Sequence, residues 1–221
     1  MTTPLPKSYG LLLFPGFQAL DAFGPLDVLN ILSVTHPLSL SIIASTLSPV
    51  PTNNPVNGKL SPNFGQSVVP THTFADPPAD LEVLIVPGGM GLRNPAVVEE
   101  LAQFLKGAYP KLRYVLTVCT GSVPLAASGV LERRKATTNK KAWVWATSPY
   151  ANVDWVHKAR WVVDGNVWTG SGVSAGIDLV LAFVEEVYGA EKAKELAIGI
   201  EYDRHEDPSY DPFADIWKIT E

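Results

Sequence analysis

The chain has 221 residues, of which 46% are hydrophobic and 18% charged, and it carries a formal charge of −5. That apolar content excludes a disordered chain, and the acidic balance argues against nucleic-acid binding, which needs clustered Lys and Arg. One cysteine and four scattered histidines exclude an internal disulfide and a cysteine-rich zinc site, and they form no H-E-x-x-H motif.

The start, Met1 to Gly10, carries Pro4, Pro6 and a single Lys7 before a short apolar run. That run, Leu11 to Phe14, is too short for a signal-peptide core, and no stretch approaches the ~20 apolar residues of a membrane span. A soluble, cytoplasmic protein with a reduced thiol is expected, with no membrane partner. Leu11 to Phe14 reads as a buried strand closed by Pro15-Gly16. Gln18 to Leu32 has helical spacing of Leu20, Phe23, Leu26, Leu29 and Ile31, and Pro25 should kink that helix or begin its main body. Leu38 to Ala44 reads as a second strand. Residues 48–80 are rich in Pro, Asn, Ser and Thr. They read as short strands and hairpins leaving the main sheet, packed through Val50, Leu60, Val68 and Val69.

Leu81 to Val86 is the clearest strand and ends at Pro87-Gly88-Gly89. Pro95 to Tyr109 reads as a helix with proline in its first turn. Tyr114 to Val118 is another strand and leads directly into Cys119-Thr120-Gly121-Ser122. Ser122 to Ala127 reads as a buried helix, closed by Gly129, and Lys140 to Ala146 as a further one. Ala159 to Thr169 reads as a hairpin, because Asp164-Gly165 separates two alternating runs. Ser174 to Tyr188 and Ala190 to Ile200 are helices joined at Gly189. The acidic tail after Glu201 is expected to lie along the surface. Strands alternating with helices imply a flavodoxin-like α/β fold, a parallel sheet sandwiched by helices, in a single domain over 1–221.

Cys119 has two readings. A free cysteine is commonly a small buried hydrophobe. Its address at the C-terminal end of a strand, before a glycine and a helix, is that of a nucleophile elbow at the ligand-binding edge of a parallel sheet. The helix N-terminus would favour thiolate there. Gly88 and Gly89 form either a plain tight turn or an oxyanion hole whose two backbone N–H groups approach the reacting atom. Asp21, set between Leu20 and Ala22, is either a helix-terminus charge or a general acid/base beside the thiol. In the second case burial raises its pKa and its titration couples to that of Cys119.

Several segments in order resemble the ThiJ/PfpI superfamily, with its class I glutamine-amidotransferase-like fold. They are Phe14-Pro15-Gly16-Phe17-Gln18-Ala19-Leu20-Asp21-Ala22-Phe23-Gly24-Pro25, Val86-Pro87-Gly88-Gly89, Val118-Cys119-Thr120-Gly121-Ser122, Ala136-Thr137-Thr138 and Ser171-Gly172-Val173-Ser174-Ala175-Gly176-Ile177-Asp178. Asp21 stands where many members have Glu, and Thr120 follows the nucleophile where protease-like members have His. With Ile200-Glu201-Tyr202-Asp203, these choices resemble the isocyanide (isonitrile) hydratase branch. Regulators that share this domain add a DNA-binding part, which is not expected here.

The resemblance implies hydration of a small-molecule isocyanide to an N-substituted formamide through a Cys119 thioimidate. Asp21 would move the proton, Thr120 would orient the thiol or substrate, and Gly88 and Gly89 would line the reacting centre. Val173 would line the pocket. The resemblance also implies a homodimer and no metal or organic cofactor. Asn139 departs from the pattern, since related sequences often carry His there, so no Cys–His pair is expected from that loop. His36, His72, His157 and His205 are read as structural or surface residues. The rival activities are a cofactor-independent glyoxalase, which normally wants Glu and His, and a non-catalytic redox sensor or chaperone-like dimer using Cys119 oxidation.

Overall fold

A computed structural model describes residues 4–53 and 64–219. Five short apolar strands build the centre of the sheet: β1 (Ser8–Leu12), β2 (Ser39–Ala44), β6 (Val83–Val86), β7 (Tyr114–Thr117) and β11 (Val167–Gly170). β1, β6 and β11 are buried at every position, as strands covered on both faces must be. All four pairings among these five are parallel. In space they run β2-β1-β6-β7-β11, the flavodoxin-like order 2-1-3-4-5. The chain leaves β1 toward β2 on one side and returns to β6 on the other. A crevice therefore opens at the C-terminal ends of β1 and β6.

Both edges carry an added strand. β10 (Trp161–Asp164) pairs antiparallel with β11, and Asp164 faces Val167 across the hairpin. The two-residue loop is thus Gly165-Asn166, with Gly165 at φ 62°, rather than Asp164-Gly165. Asp164 stays in the strand because its carboxylate accepts the Lys135 N–H at 2.9 Å and pairs with Arg134. At the other edge β5 (His72–Thr73) pairs parallel with β2, so the segment after β2 comes back to the sheet. Between them β3 (Val50–Pro51) and β4 (Ser67–Val68) form a small antiparallel ladder. Val50 is buried there and Val68 partly so, whereas Val69 is exposed. Leu60 lies outside the described residues.

Helices cover the sheet: α1 (Ala19–Ser33), α2 (Pro95–Ala108), α3 (Ser122–Ala127), α4 (Trp143–Thr147), α5 (Ala175–Tyr188) and α6 (Ala190–Gly199). Asn94 caps α2 by accepting the Ala96 N–H, with Pro95 at the first helical position. α1 starts six residues before Pro25 and continues past it, so the proline is inside the helix. Its buried face is Asp21, Ala22, Pro25, Leu26, Val28, Leu29 and Leu32, while Leu20, Phe23 and Ile31 point outward. α1 is apolar on more than one face, and the acidic residue lies on the inner one.

The tail does more than lie on the surface. Pro208 accepts the Arg160 N–H at 2.7 Å, and the His205 N–H reaches buried Asp178 at 3.0 Å. Asp211 is itself buried and begins a short helix, α7 (Pro212–Ile216). The polar tail sequence follows from these partners: its charges are spent on buried counter-ions as well as on solvent.

Candidate active site

The C-terminal ends of three neighbouring strands converge on one thiol. From β1 the chain crosses Pro15-Gly16, and Phe17 bridges to Gly89. The Gln18 N–H then donates to the Gly88 carbonyl at 2.8 Å, which fixes the start of α1 against the turn after β6. Asp21, in the first turn of α1, is fully buried, and its Oδ2 accepts the Gly88 N–H at 2.9 Å. Its Oδ1 is buried without an N–H or O–H donor. Burial drives the Asp21 pKa up to about 7, against the pull of the Gly88 N–H and the Cys119 thiol.

Cys119 follows β7 and has φ 58°, a left-handed conformation that a non-glycine residue holds only under surrounding constraint. Hydrogen bonds on both sides of the residue supply that constraint. Its N–H donates to the Ser171 carbonyl at 2.8 Å, and its own carbonyl accepts the Thr138 hydroxyl at 3.0 Å. Ser122 in turn donates to Thr138 at 2.9 Å. The thiol is touched by the backbone N–H groups of Val173 and Thr120 and by the Asn139 side chain. Val173 also has positive φ, 29°, which is rare for a β-branched residue. Two residues with positive φ therefore meet at the sulfur, Cys119 which bears it and Val173 whose N–H touches it.

The helix N-terminus does not leave the thiol acidic. Burial, and after it the Asp21 carboxylate, push the Cys119 pKa up to about 12, with the three donors only partly offsetting them. The consequence is a pair that shares a single proton over the range between about 7 and about 12. Thiol with carboxylate and thiolate with carboxylic acid are two forms of one protonation state.

Gly88 and Gly89 stand beside the thiol, but their N–H groups do not form a free oxyanion hole. Gly88 donates to Asp21, and the Gly89 N–H donates to the Thr120 hydroxyl oxygen at 3.1 Å. The glycines orient the acid/base and the residue after the nucleophile. A Cβ at Gly88 would meet Thr120 N at 2.5 Å, Thr120 Oγ1 at 2.6 Å and Asp21 Oδ2 at 3.0 Å. No side chain fits there without parting Asp21 from the elbow. The donors that remain near the sulfur are the N–H groups of Thr120 and Val173.

Asn139, which the sequence reading noted only as the place of a missing histidine, has a role of its own. Its Oδ1 accepts the Ala142 N–H at 3.0 Å, capping the turn that precedes α4. That bond turns the amide nitrogen toward the thiol, so Asn139 supplies a donor where a base had been looked for. Its cap position before Lys140 was the available signal. No histidine is among the groups that touch the sulfur. Asn139 and Val173 also line a cavity of about 210 Å³, together with Gly172, Phe213 and Trp217. Nearby, the Arg93 guanidinium stacks on the Trp145 ring at 3.6 Å. Among the described residues no cluster of His, Cys, Asp and Glu could hold a metal, and no helix is long and apolar enough to cross a membrane.

Comparison with known proteins matches residues 7–186 to the profile of the DJ-1/PfpI family. The isonitrile hydratase of Pseudomonas putida is 35% identical over 193 residues, covering 87% of this chain and 77% of that protein. The crystal structure of a ThiJ/PfpI family protein from Pseudomonas syringae superposes with a TM-score of 0.75 at 30% identity, over 91% of this chain and 78% of that one. Drosophila melanogaster DJ-1beta shares the fold at 22% identity, with a TM-score of 0.65 over 90% of this chain and 99% of its own.

Proposed function

Because the chain belongs to the DJ-1/PfpI family, we propose that it uses the Cys119–Asp21 pair to hydrate an isocyanide to an N-substituted formamide. The observation that carries this reading is the buried carboxylate, held by the Gly88 N–H against a thiol that has no histidine beside it. A reaction that needs one shared proton, a soft nucleophile and no separate base suits that pair.

In the thiolate form, Cys119 attacks the terminal carbon of the isocyanide. A C–S bond forms, and the electron pair that builds up on that carbon takes the proton of Asp21. The product is a thioimidate, with the substrate nitrogen doubly bonded to the former terminal carbon. Water then adds to that carbon. One of its protons goes to the nitrogen. The second returns to the pair as the C–S bond breaks and the thiolate leaves. The Thr120 and Val173 N–H groups and the Asn139 amide stabilise sulfur when it carries charge, at entry and at exit. The cavity that Asn139 and Val173 share with Phe213 and Trp217 would take the substituent on nitrogen.

A redox-sensor role is less well supported, because sensor thiols are exposed and acidic, whereas Cys119 is buried with a raised pKa. The glyoxalase reading lacks its histidine. The test is formamide formation from a simple alkyl or aryl isocyanide by wild type, Cys119→Ala and Asp21→Asn. The expected result is turnover in wild type and none in either variant. Folded wild type that leaves every isocyanide unchanged would sink the proposal.

A further inference from the structure

Beside the site lies a charged cluster that the mechanism above does not use. Lys140 and Asp211 form an ion pair, Nζ to Oδ2, at 3.1 Å, with both side chains 1% exposed. Asp211 lies beyond residues 7–186, the part matched to the family. The ammonium also donates to the Thr137 hydroxyl at 2.8 Å, the Ala159 carbonyl at 3.0 Å, and the Thr138 carbonyl and Ser171 hydroxyl at 3.1 Å. The Ser171 hydroxyl donates in turn to Asp211 Oδ2 at 2.8 Å.

All of those acceptors but Ala159 belong to the two loops that hold the nucleophile. Ser171 and Thr138 are the residues that bind the Cys119 N–H and carbonyl. Two residues after Ser171 comes Val173, and next to Thr138 comes Asn139, the two donors to the sulfur from outside the elbow. We propose that Lys140 and Asp211 are positioning residues for Cys119, a buried ion pair by which the C-terminal segment clamps both thiol-bearing loops. The inference rests on Cys119 being the nucleophile, and on no choice of substrate.

The energetics favour this over a general contribution to stability. A buried ion pair is often no more stabilising than a well-packed apolar pair of similar volume. Burial pulls the Lys140 pKa down and Asp211 opposes the shift; the balance stands at about 8, which keeps the ammonium charged at neutral pH. What a charged Lys140 provides that an apolar residue cannot is several hydrogen bonds from one point, converging on two loops. Removing it frees Val173 and Asn139 to leave the sulfur, and the thiol loses two of its three donors.

The test reads the thiol itself, so it is independent of hydratase activity. The rate of Cys119 alkylation by iodoacetamide is followed against pH, with folding checked by circular dichroism. The variants are Asp211→Asn and the apolar replacement Lys140→Met with Asp211→Leu. Lys158→Ala serves as control, since it breaks the exposed Lys158–Asp215 pair of the same tail. At every accessible pH the rate is expected to fall by about tenfold in both Lys140/Asp211 variants, the displacement of the rate–pH curve that a one-unit rise in the thiol pKa gives, and to stay put in the control. If only the apolar replacement folds, it decides the matter. An unchanged rate–pH curve in either folded variant overturns the proposal. So does failure of both to fold, which would make the pair a folding element.

Discussion

Asp21 is costly to the fold at neutral pH. Its pKa is 3.8 in an exposed setting and about 7 in the folded chain. Between those values the folded protein holds a proton that the unfolded chain has released, so stability falls as pH rises through that window and stays low above it. Asp21→Asn keeps an acceptor for the Gly88 N–H and removes the charge. It should gain about 2–4 kcal/mol at pH 8 and almost nothing at pH 4, measured by urea unfolding at both values. A variant no more stable than wild type at pH 8 would mean that the carboxylate is not held against its charge. Asn139 makes the complementary case. Asn139→Leu preserves bulk and deletes the donor to sulfur. Turnover is expected to fall by about tenfold and the alkylation midpoint to rise, because one hydrogen bond to a charged group is worth about 1.5–3 kcal/mol. Wild-type rates in that variant would remove Asn139 from the site.

At the scale of elements, the site depends on turns more than on helices or strands. The strand–cysteine–glycine–helix sequence at 114–127 reads directly as an elbow, and the structure has it. The central strands, the start of α2 at Pro95 and the presence of a hairpin after Ala159 are equally legible, because period and turn chemistry are local, although the hairpin turn sits one residue later than Asp164-Gly165. The roles of Gly88 and Gly89 are not. Where a backbone N–H points depends on the Phe17–Gly89 bridge and on how closely β6 and β7 bring their turns together. Both groups turn inward, to Asp21 and Thr120. The α1 face was hidden for another reason: a helix with apolar residues on both its inner and outer sides has no clear period to mark the inner one. Gly88→Ala tests the turn. Its methyl group would crowd Thr120 and Asp21 together, so we expect loss of turnover with the fold retained and a lower melting temperature. Normal activity would show that the elbow tolerates separation from Asp21.

At the scale of the whole molecule, two surfaces escaped local reading. The tail is polar in sequence yet anchors itself through buried Asp211, because the partner Lys140 is some seventy residues away in the chain and no local pattern links them. The outer face of α1 leaves Leu20, Phe23 and Ile31 37–42% exposed. That face is where the homodimer implied by family resemblance would find apolar surface. Phe23→Glu with Ile31→Glu should convert a dimer to monomer in sedimentation. A wild-type monomer, or a dimer indifferent to both changes, would place the interface elsewhere or nowhere.

The most direct test of the account is formamide release from an isocyanide between pH 5 and 9, with wild type and Asp21→Asn side by side. Below about 7 the Cys119–Asp21 pair holds two protons and has no thiolate form, and above it holds one. The account predicts a wild-type rate that climbs through a midpoint near 7 and a variant with no turnover at any pH. A variant as active as wild type, or a folded wild type that releases no formamide across the range, would contradict it.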